Sequence, residues 1–279
     1  MATSTRDNSV SFGERLRERA AERGRLCVGI DPHAGLLQDW GLANDIAGLR
    51  EFSRRCVDAF ADTACVVKPQ VAFYERFGSA GYAVLEETLA ALRDAGALVI
   101  ADAKRGDIGS TMEGYASAWL DPDSPLHADA VTVAPYLGLG ALKPAIAAAE
   151  QNGVGVFVLA ATSNPEAVEL QSFQQAGVSL AQHVVDYCRD FNQNRNAAVL
   201  GIVVGATVSS PLDLGGFNGP ILMPGVGAQG GTVADIARIT ADATEWSFPN
   251  VSRSVLSAGP DVSDLRKAVL KEANNFPGR

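Results

Sequence analysis

The sequence predicts an α/β fold, a (β/α)8 barrel behind an N-terminal helix, and three observations predict it. Eight short apolar runs alternate with helical segments along 279 residues. Most runs are apolar throughout, as strands buried on both faces of a parallel sheet are. Polar and charged residues cluster just after the runs, at the strand ends where such barrels carry their sites. An open, doubly wound sheet is the alternative, but no Gly-x-Gly-x-x-Gly follows the first run.

Ser11 to Arg23 sets Phe12, Leu16 and Ala20 among charges, an amphipathic helix leading into the domain. The first strand, Leu26 to Ile30, ends at Asp31-Pro32. Ala43 to Asp62 is helical. Ala64 to Val67 is the second strand, ending at Lys68-Pro69. Ala80 to Ala95 is helical, with Gly96 as its stop. The third strand, Ala97 to Ile100, runs into Ala101-Asp102-Ala103-Lys104-Arg105-Gly106-Asp107-Ile108-Gly109-Ser110-Thr111.

Ala130 to Ala134 is the fourth strand, stopped by Pro135, and Ala141 to Gln151 is a helix. Val154 to Ala160 is the fifth, followed by Thr162-Ser163-Asn164-Pro165 and a long helical region through Phe191. Ala198 to Val204 is the sixth. Pro220 to Met223 is the seventh, followed by the glycine-rich Pro224 to Gly231 and a helix over Thr232 to Ala241. Asn250 to Val255 is a less apolar eighth strand. Asp261 N-caps the last helix, which reaches Ala273. With no linker in view, residues 1–279 read as one barrel domain, the first ten expected to be flexible.

Composition narrows the function. Hydrophobic residues make up 47% of the chain, enough for a sizeable core, and the net charge is −9. An acidic surface argues against nucleic acid and anionic membranes as partners. Met1 to Ser11 is polar and no apolar run is long enough to span a bilayer, so neither a secretion signal nor a membrane segment is expected. Cys27, Cys56, Cys65 and Cys188 show no Cys-x-x-Cys spacing and fit a reducing cytoplasm. His33, His127 and His183 are scattered, so no metal cluster is expected.

The strand ends supply the candidates: Asp31, Lys68, Asp102 with Lys104, Ser163, Gln229 and Arg253. Residues two apart on a strand face the same side, which puts Asp102 with Lys104. Neighbouring strands lie about 4.8 Å apart, which brings Lys68 within reach of both. Asp107, in the turn, is the fourth candidate of this charge array. Taken singly, Lys68 reads equally well as a rim lysine and Asp31 as a turn residue; their shared rim favours a site. The glycine-rich loop and the helix start near Thr232 suit a phosphate. Between Asn196 and Ala237 the chain has no Lys, Arg or His, so Arg253 is the main cation for it.

These residues resemble the orotidine 5′-phosphate decarboxylase family. The likeness is carried by Asp102-Ala103-Lys104-Arg105-Gly106-Asp107-Ile108-Gly109-Ser110-Thr111, with Gly29-Ile30-Asp31, Val67-Lys68-Pro69-Gln70, Pro224 to Gly231 and Arg253 in support. It looks like the longer-chain bacterial subgroup and covers nearly the whole barrel. It implies decarboxylation of orotidine 5′-monophosphate to UMP without cofactor or metal. It also implies roles: Lys104 protonates C6, Asp102 lies beside the leaving carboxylate, and Lys68 and Asp31 contact the ribose. Ser163 meets the pyrimidine; Gln229 and Arg253 hold the phosphate. Asp107, Ile108 and Thr111 are expected to reach the neighbouring subunit's site in a homodimer. Two departures stand out: Ser252 precedes Arg253 where many relatives carry glycine, and no extra arginine precedes the seventh strand.

Two other readings remain open. A Mg²⁺-dependent sugar-phosphate lyase of the same superfamily shares Asp-x-Lys-x-x-Asp, but its metal would meet Lys68 at the second strand's end. A non-catalytic nucleotide-binding barrel would have no use for the charge array.

Overall fold

The computed structural model describes residues 10–195, 197–210, 212–227 and 229–278. The expectation of a flexible start falls mainly on residues 1–9, outside the described residues. Eight parallel strands close a (β/α)8, or TIM, barrel. They are β1 (Cys27–Ile30), β2 (Val66–Pro69), β3 (Leu98–Arg105), β4 (Ala130–Val133), β5 (Gly155–Ala161), β6 (Leu200–Val204), β7 (Ile221–Met223) and β8 (Ser247–Val251). Each pairs in parallel with its neighbours in chain order, and β8 returns to β1 through Cys27–Asn250 and Val28–Val251.

The barrel has two apolar layers. Inside, Cys27, Val66, Leu98, Ile100, Phe157, Leu222 and Phe248 pack into one cluster. Outside, the other strand faces and the surrounding helices form the larger core. The N-terminal helix (Phe12–Arg23) closes the N-terminal end of the barrel. Its Phe12 is fully buried and meets Phe157 edge-to-face with ring centroids 6.0 Å apart. Ser11 and Glu14 form a capping box that starts this helix. Arg15 reaches the buried Asp129 carboxylate at 3.1 Å, and Asp129 also accepts the N–H of Val99. With that end plugged, the opposite rim is left for a ligand.

Three elements bear on the expectations. First, β3 carries the charged motif, as the strand placement of Asp102 and Lys104 implied, and extends to Arg105. Second, β8 starts at Ser247 and ends at Val251, so Arg253 opens a short helix (Arg253–Leu256) instead of lying on the strand. Burial of Phe248 in the interior anchors this register, which Ser247, Pro249 and Asn250 hide from a hydropathy reading. Third, the region after β5 is not one long helix. A short helix (Ala167–Gln171) precedes an antiparallel hairpin of Gln174–Gln175 with Val178–Ser179, and a helix follows over Leu180–Arg195. The hairpin turns at Ala176 and Gly177, both with positive φ, the backbone of a two-residue primed turn.

Candidate active site

The site is built around one carboxylate. Asp102 is buried on β3 and accepts four side-chain donors. Its Oδ2 receives Lys68 Nζ at 2.9 Å and Gln70 Nε2 at 3.1 Å. Its Oδ1 receives Lys104 Nζ at 2.6 Å and Thr132 Oγ1 at 2.9 Å. Burial alone would raise the carboxyl's pKa, but the Lys68 and Lys104 ammonium groups hold it well below the usual range. Burial likewise opposes the charge on Lys68, and Asp102 with Asp31 overcomes it, so its pKa is raised. An ionised Asp102 beside a charged Lys68 is therefore the resting state. Lys68 is enclosed, whereas the Lys104 side chain keeps 45% of its surface exposed, on the side a ligand would approach.

Simple strand alternation does not put Lys104 there. Pairing between β3 and β4 runs Ala101 to Val131, then Arg105 to Val133. Residues 102 to 104 thus bulge opposite Thr132 alone, a device that re-aims side chains at barrel rims. Lys104 has a φ of 48°, in the left-handed region that a residue with a Cβ rarely occupies. Arg105 ties down the far side of the bulge. It donates to the carbonyl of Ala103, pairs with Glu75 and lies over the rings of Tyr115 and Trp119. Gly106 follows because a Cβ there would stand 2.5 Å from the carbonyl oxygen of Ala134.

The array opens into a cavity of about 510 Å³ at the C-terminal rim. Asp31, Lys68, Asp102, Lys104, Ser163, Gln229 and Arg253 all line it. Asp31 Oδ1 is buried there without a hydrogen-bond partner among the described residues. A buried carboxylate oxygen in that state suits a ligand hydroxyl. Ser163 Oγ meets Gln229 Oε1 at 2.8 Å, joining the loops after β5 and β7 across the mouth. Ser252 fits beside Arg253 because Gly29 opposite has no side chain; a Cβ there would lie 2.0 Å from Ser252 Oγ.

One sequence expectation about this rim changes. The glycine-rich loop spends several N–H groups on itself: Gly227 donates to Gly231, Gly230 to Gly227 and Gly231 to Gly225. Thr232 and Asp235 close the following helix start with a capping box. An anion there meets side chains, Gln229 and Arg253, before it meets a backbone cradle. In addition, Asp107 does not join the array within this chain. Its Oδ1 accepts the N–H of Ile108 instead, and neither it nor Ile108 nor Thr111 lines the cavity. Ile108 is 61% exposed and Thr111 is exposed in the first turn of the helix Gly109–Leu120.

Three cavity or array residues escaped the sequence reading. Gln70 lies two residues beyond Lys68, and the spacing already used for Asp102 and Lys104 would have found it. Thr132 and Asn250 are polar residues buried on strands β4 and β8, a signal in itself.

Comparison with known proteins agrees along the whole barrel. Residues 24–268 match the sequence profile of the orotidine 5′-phosphate decarboxylase / HUMPS family. The chain belongs to this family. It is 60% identical over 274 residues to the orotidine 5′-phosphate decarboxylase of Corynebacterium glutamicum, covering 96% of this chain and 99% of that one. The Salinispora tropica enzyme of the same name is 54% identical over 261 residues, 92% of this chain and 94% of its own. Among solved structures, a Streptomyces avermitilis protein matches with a TM-score of 0.89 at 50% identity, over 95% and 94% of the two chains. Leishmania donovani OMP decarboxylase matches at 0.74 and 31% identity, over 95% and 98%.

For a family member the donor set is informative. Among the described residues no three His, Cys, Asp or Glu side chains are grouped to hold a metal ion. At the β2 end stands the Lys68 ammonium, already engaged by Asp102. Among the same residues no helix is long and apolar enough to cross a membrane.

Proposed function

We propose that this chain is an orotidine 5′-phosphate decarboxylase, a single-barrel enzyme that converts orotidine 5′-monophosphate to UMP and CO2. That reaction is the last step of de novo pyrimidine biosynthesis. The Lys68–Asp102–Lys104 array carries the reading, because it shares one cavity with Asp31, Ser163, Gln229 and Arg253 in a member of this family. No metal or cofactor has a part in it.

The family resemblance implies the following chemistry, and the geometry supports it. The bond between C6 and the carboxylate carbon breaks, CO2 leaves, and the electron pair stays on C6. That carbanion has little resonance help, so a fixed ammonium beside it stabilises the developing charge. Lys104 supplies the ammonium and then gives C6 a proton from Nζ. Asp102 keeps Lys104 aimed and lies beside the departing carboxylate. Lys68 and the unpartnered Asp31 oxygen take the ribose hydroxyls. Ser163 hydrogen-bonds the pyrimidine. Gln229, its Oε1 already engaged by Ser163, offers Nε2–H to the phosphate, and Arg253 offers its guanidinium fork. Binding at the remote phosphate can close the mouth and exclude water, which strengthens every charge inside.

The enzyme works as a homodimer with shared sites. Asp107, Ile108 and Thr111 do not line their own cavity, and Ile108 at 61%, Tyr136 at 78% and Leu137 at 53%, on the loops after β3 and β4, are exposed apolar side chains. Such a patch suits contact with a second copy. There the partner's Asp107 completes the array. All four cysteines are buried free thiols, which supports a reducing cytoplasm. The net charge of −9 argues against nucleic acid and anionic membranes as partners, so the phosphate of the nucleotide is held by local groups such as Arg253.

An absorbance assay on orotidine 5′-monophosphate with the purified chain tests the reading. UMP-forming turnover is expected; binding of UMP with no turnover would leave a nucleotide-binding barrel in its place.

A further inference from the structure

Two of the four donors to the central carboxylate, Gln70 and Thr132, carry no charge and stand outside the roles assigned above, and Thr132 alone also holds the Lys104 backbone. Thr132 lies fully buried on β4. Its hydroxyl donates to Asp102 Oδ1 at 2.9 Å, and the same oxygen accepts the backbone N–H of Lys104 at 2.9 Å. A single side chain therefore holds the carboxylate and the main chain of the lysine together.

The place in the fold gives this contact its weight. Regular pairing of β3 with β4 lapses between Ala101 and Arg105, and Thr132 is the one β4 residue opposite the gap. The Lys104 N–H cannot use a regular ladder there and takes a side-chain oxygen instead. The lysine's left-handed backbone persists where its surroundings hold it, and strain of this kind concentrates at functional sites. Arg105 secures one side of the bulge through Ala103 and Glu75. Thr132 secures the other.

We propose that Thr132 is a positioning residue that sets the reach of the Lys104 ammonium toward the reacting carbon, acting through Asp102 and the Lys104 backbone. This rests on the decarboxylase reading of the site. Valine has nearly the same shape but offers neither hydrogen bond. With Thr132→Val the bulge loses its acceptor, Asp102 loses a donor, and the ammonium moves away from its place. A displacement near 1 Å at a reacting group can cost about a hundredfold in rate.

The test compares wild type, Thr132→Val and Thr132→Ser. In Thr132→Val, kcat on orotidine 5′-monophosphate falls about 10- to 100-fold, while KM and the Kd for UMP stay within about threefold. Thr132→Ser, which keeps the hydroxyl, returns kcat to within about threefold of wild type. Hydrogen exchange at the Lys104 amide quickens in Thr132→Val and not in Thr132→Ser. Wild-type kcat in the valine variant, a serine variant as slow as valine, or a loss confined to KM would each overturn the proposal. So would an unchanged Lys104 exchange rate. Because exchange is read without turnover, an inactive wild type whose Lys104 amide still depends on Thr132 would remove the decarboxylase reading and leave the grip of Thr132 on Lys104 standing.

Discussion

The Lys104 ammonium sits 2.6 Å from Oδ1 of Asp102, two residues back along the same strand. A bulge and a left-handed φ at Lys104 create this approach, and Lys68 holds the other carboxylate oxygen. One carboxylate thereby holds two lysine side chains in fixed places. Replacing the exposed cation should cost chemistry and spare folding. Lys104→Ala is expected to bind UMP within about tenfold of wild type and to lose about 10²- to 10⁴-fold or more in kcat. Near-normal turnover would sink its role as proton donor.

If Asp107 serves the second subunit, inactive variants should rescue one another. Lys104→Ala lacks a group in its own site, and Asp107→Ala lacks one in its partner's. A mixed dimer then holds one intact site and one doubly defective one. Random exchange in an equal mixture should return about a quarter of wild-type activity, given a two-fold symmetric dimer. No recovery, with mixed dimers shown to form, removes the shared site.

Asp102 also sets an acid dependence. Its carboxyl lies below its ordinary value of 3.8 in the folded chain, because Lys68 and Lys104 outweigh burial. The stability it contributes is therefore present above about pH 3.8 and is lost as pH falls through the lower folded value. Between about pH 5 and pH 3, Tm should fall more steeply for wild type than for Asp102→Asn, since the other carboxylates are common to both. Equal slopes would show that Asp102 is not held ionised.

Turnover should survive EDTA. The β2 position where the related lyases place an acidic metal ligand carries the buried Lys68, 2.9 Å from Asp102. Complete loss on chelation, restored by Mg²⁺, would favour the lyase.

The barrel was legible because its strands are buried on both faces and read as apolar runs, and every predicted strand has its counterpart in the closed sheet. Signals failed where burial did not write itself into hydropathy. β8 mixes Ser247, Pro249 and Asn250 with Phe248 and Val251, so hydropathy places its start at Asn250 and Arg253 on the strand, whereas it runs Ser247–Val251 and Arg253 opens the next helix. The hairpin after β5 pairs only Gln174–Gln175 with Val178–Ser179, strands too short to show a period-2 pattern.

By itself the sequence determined the eightfold alternation, the N-terminal amphipathic helix, the rim that carries the polar residues and the resemblance that names the chemistry. Those are local properties: the spacing of apolar residues, and short motifs confined to single loops. Only the tertiary structure decided that Lys104 reaches Asp102 through a bulge, that Thr132 grips both, and that Asp107 stays out of its own array. It also showed that the glycine-rich loop spends several of its amides internally. Each of these depends on strand register or on hydrogen bonds between segments distant in the chain, which residue spacing does not encode.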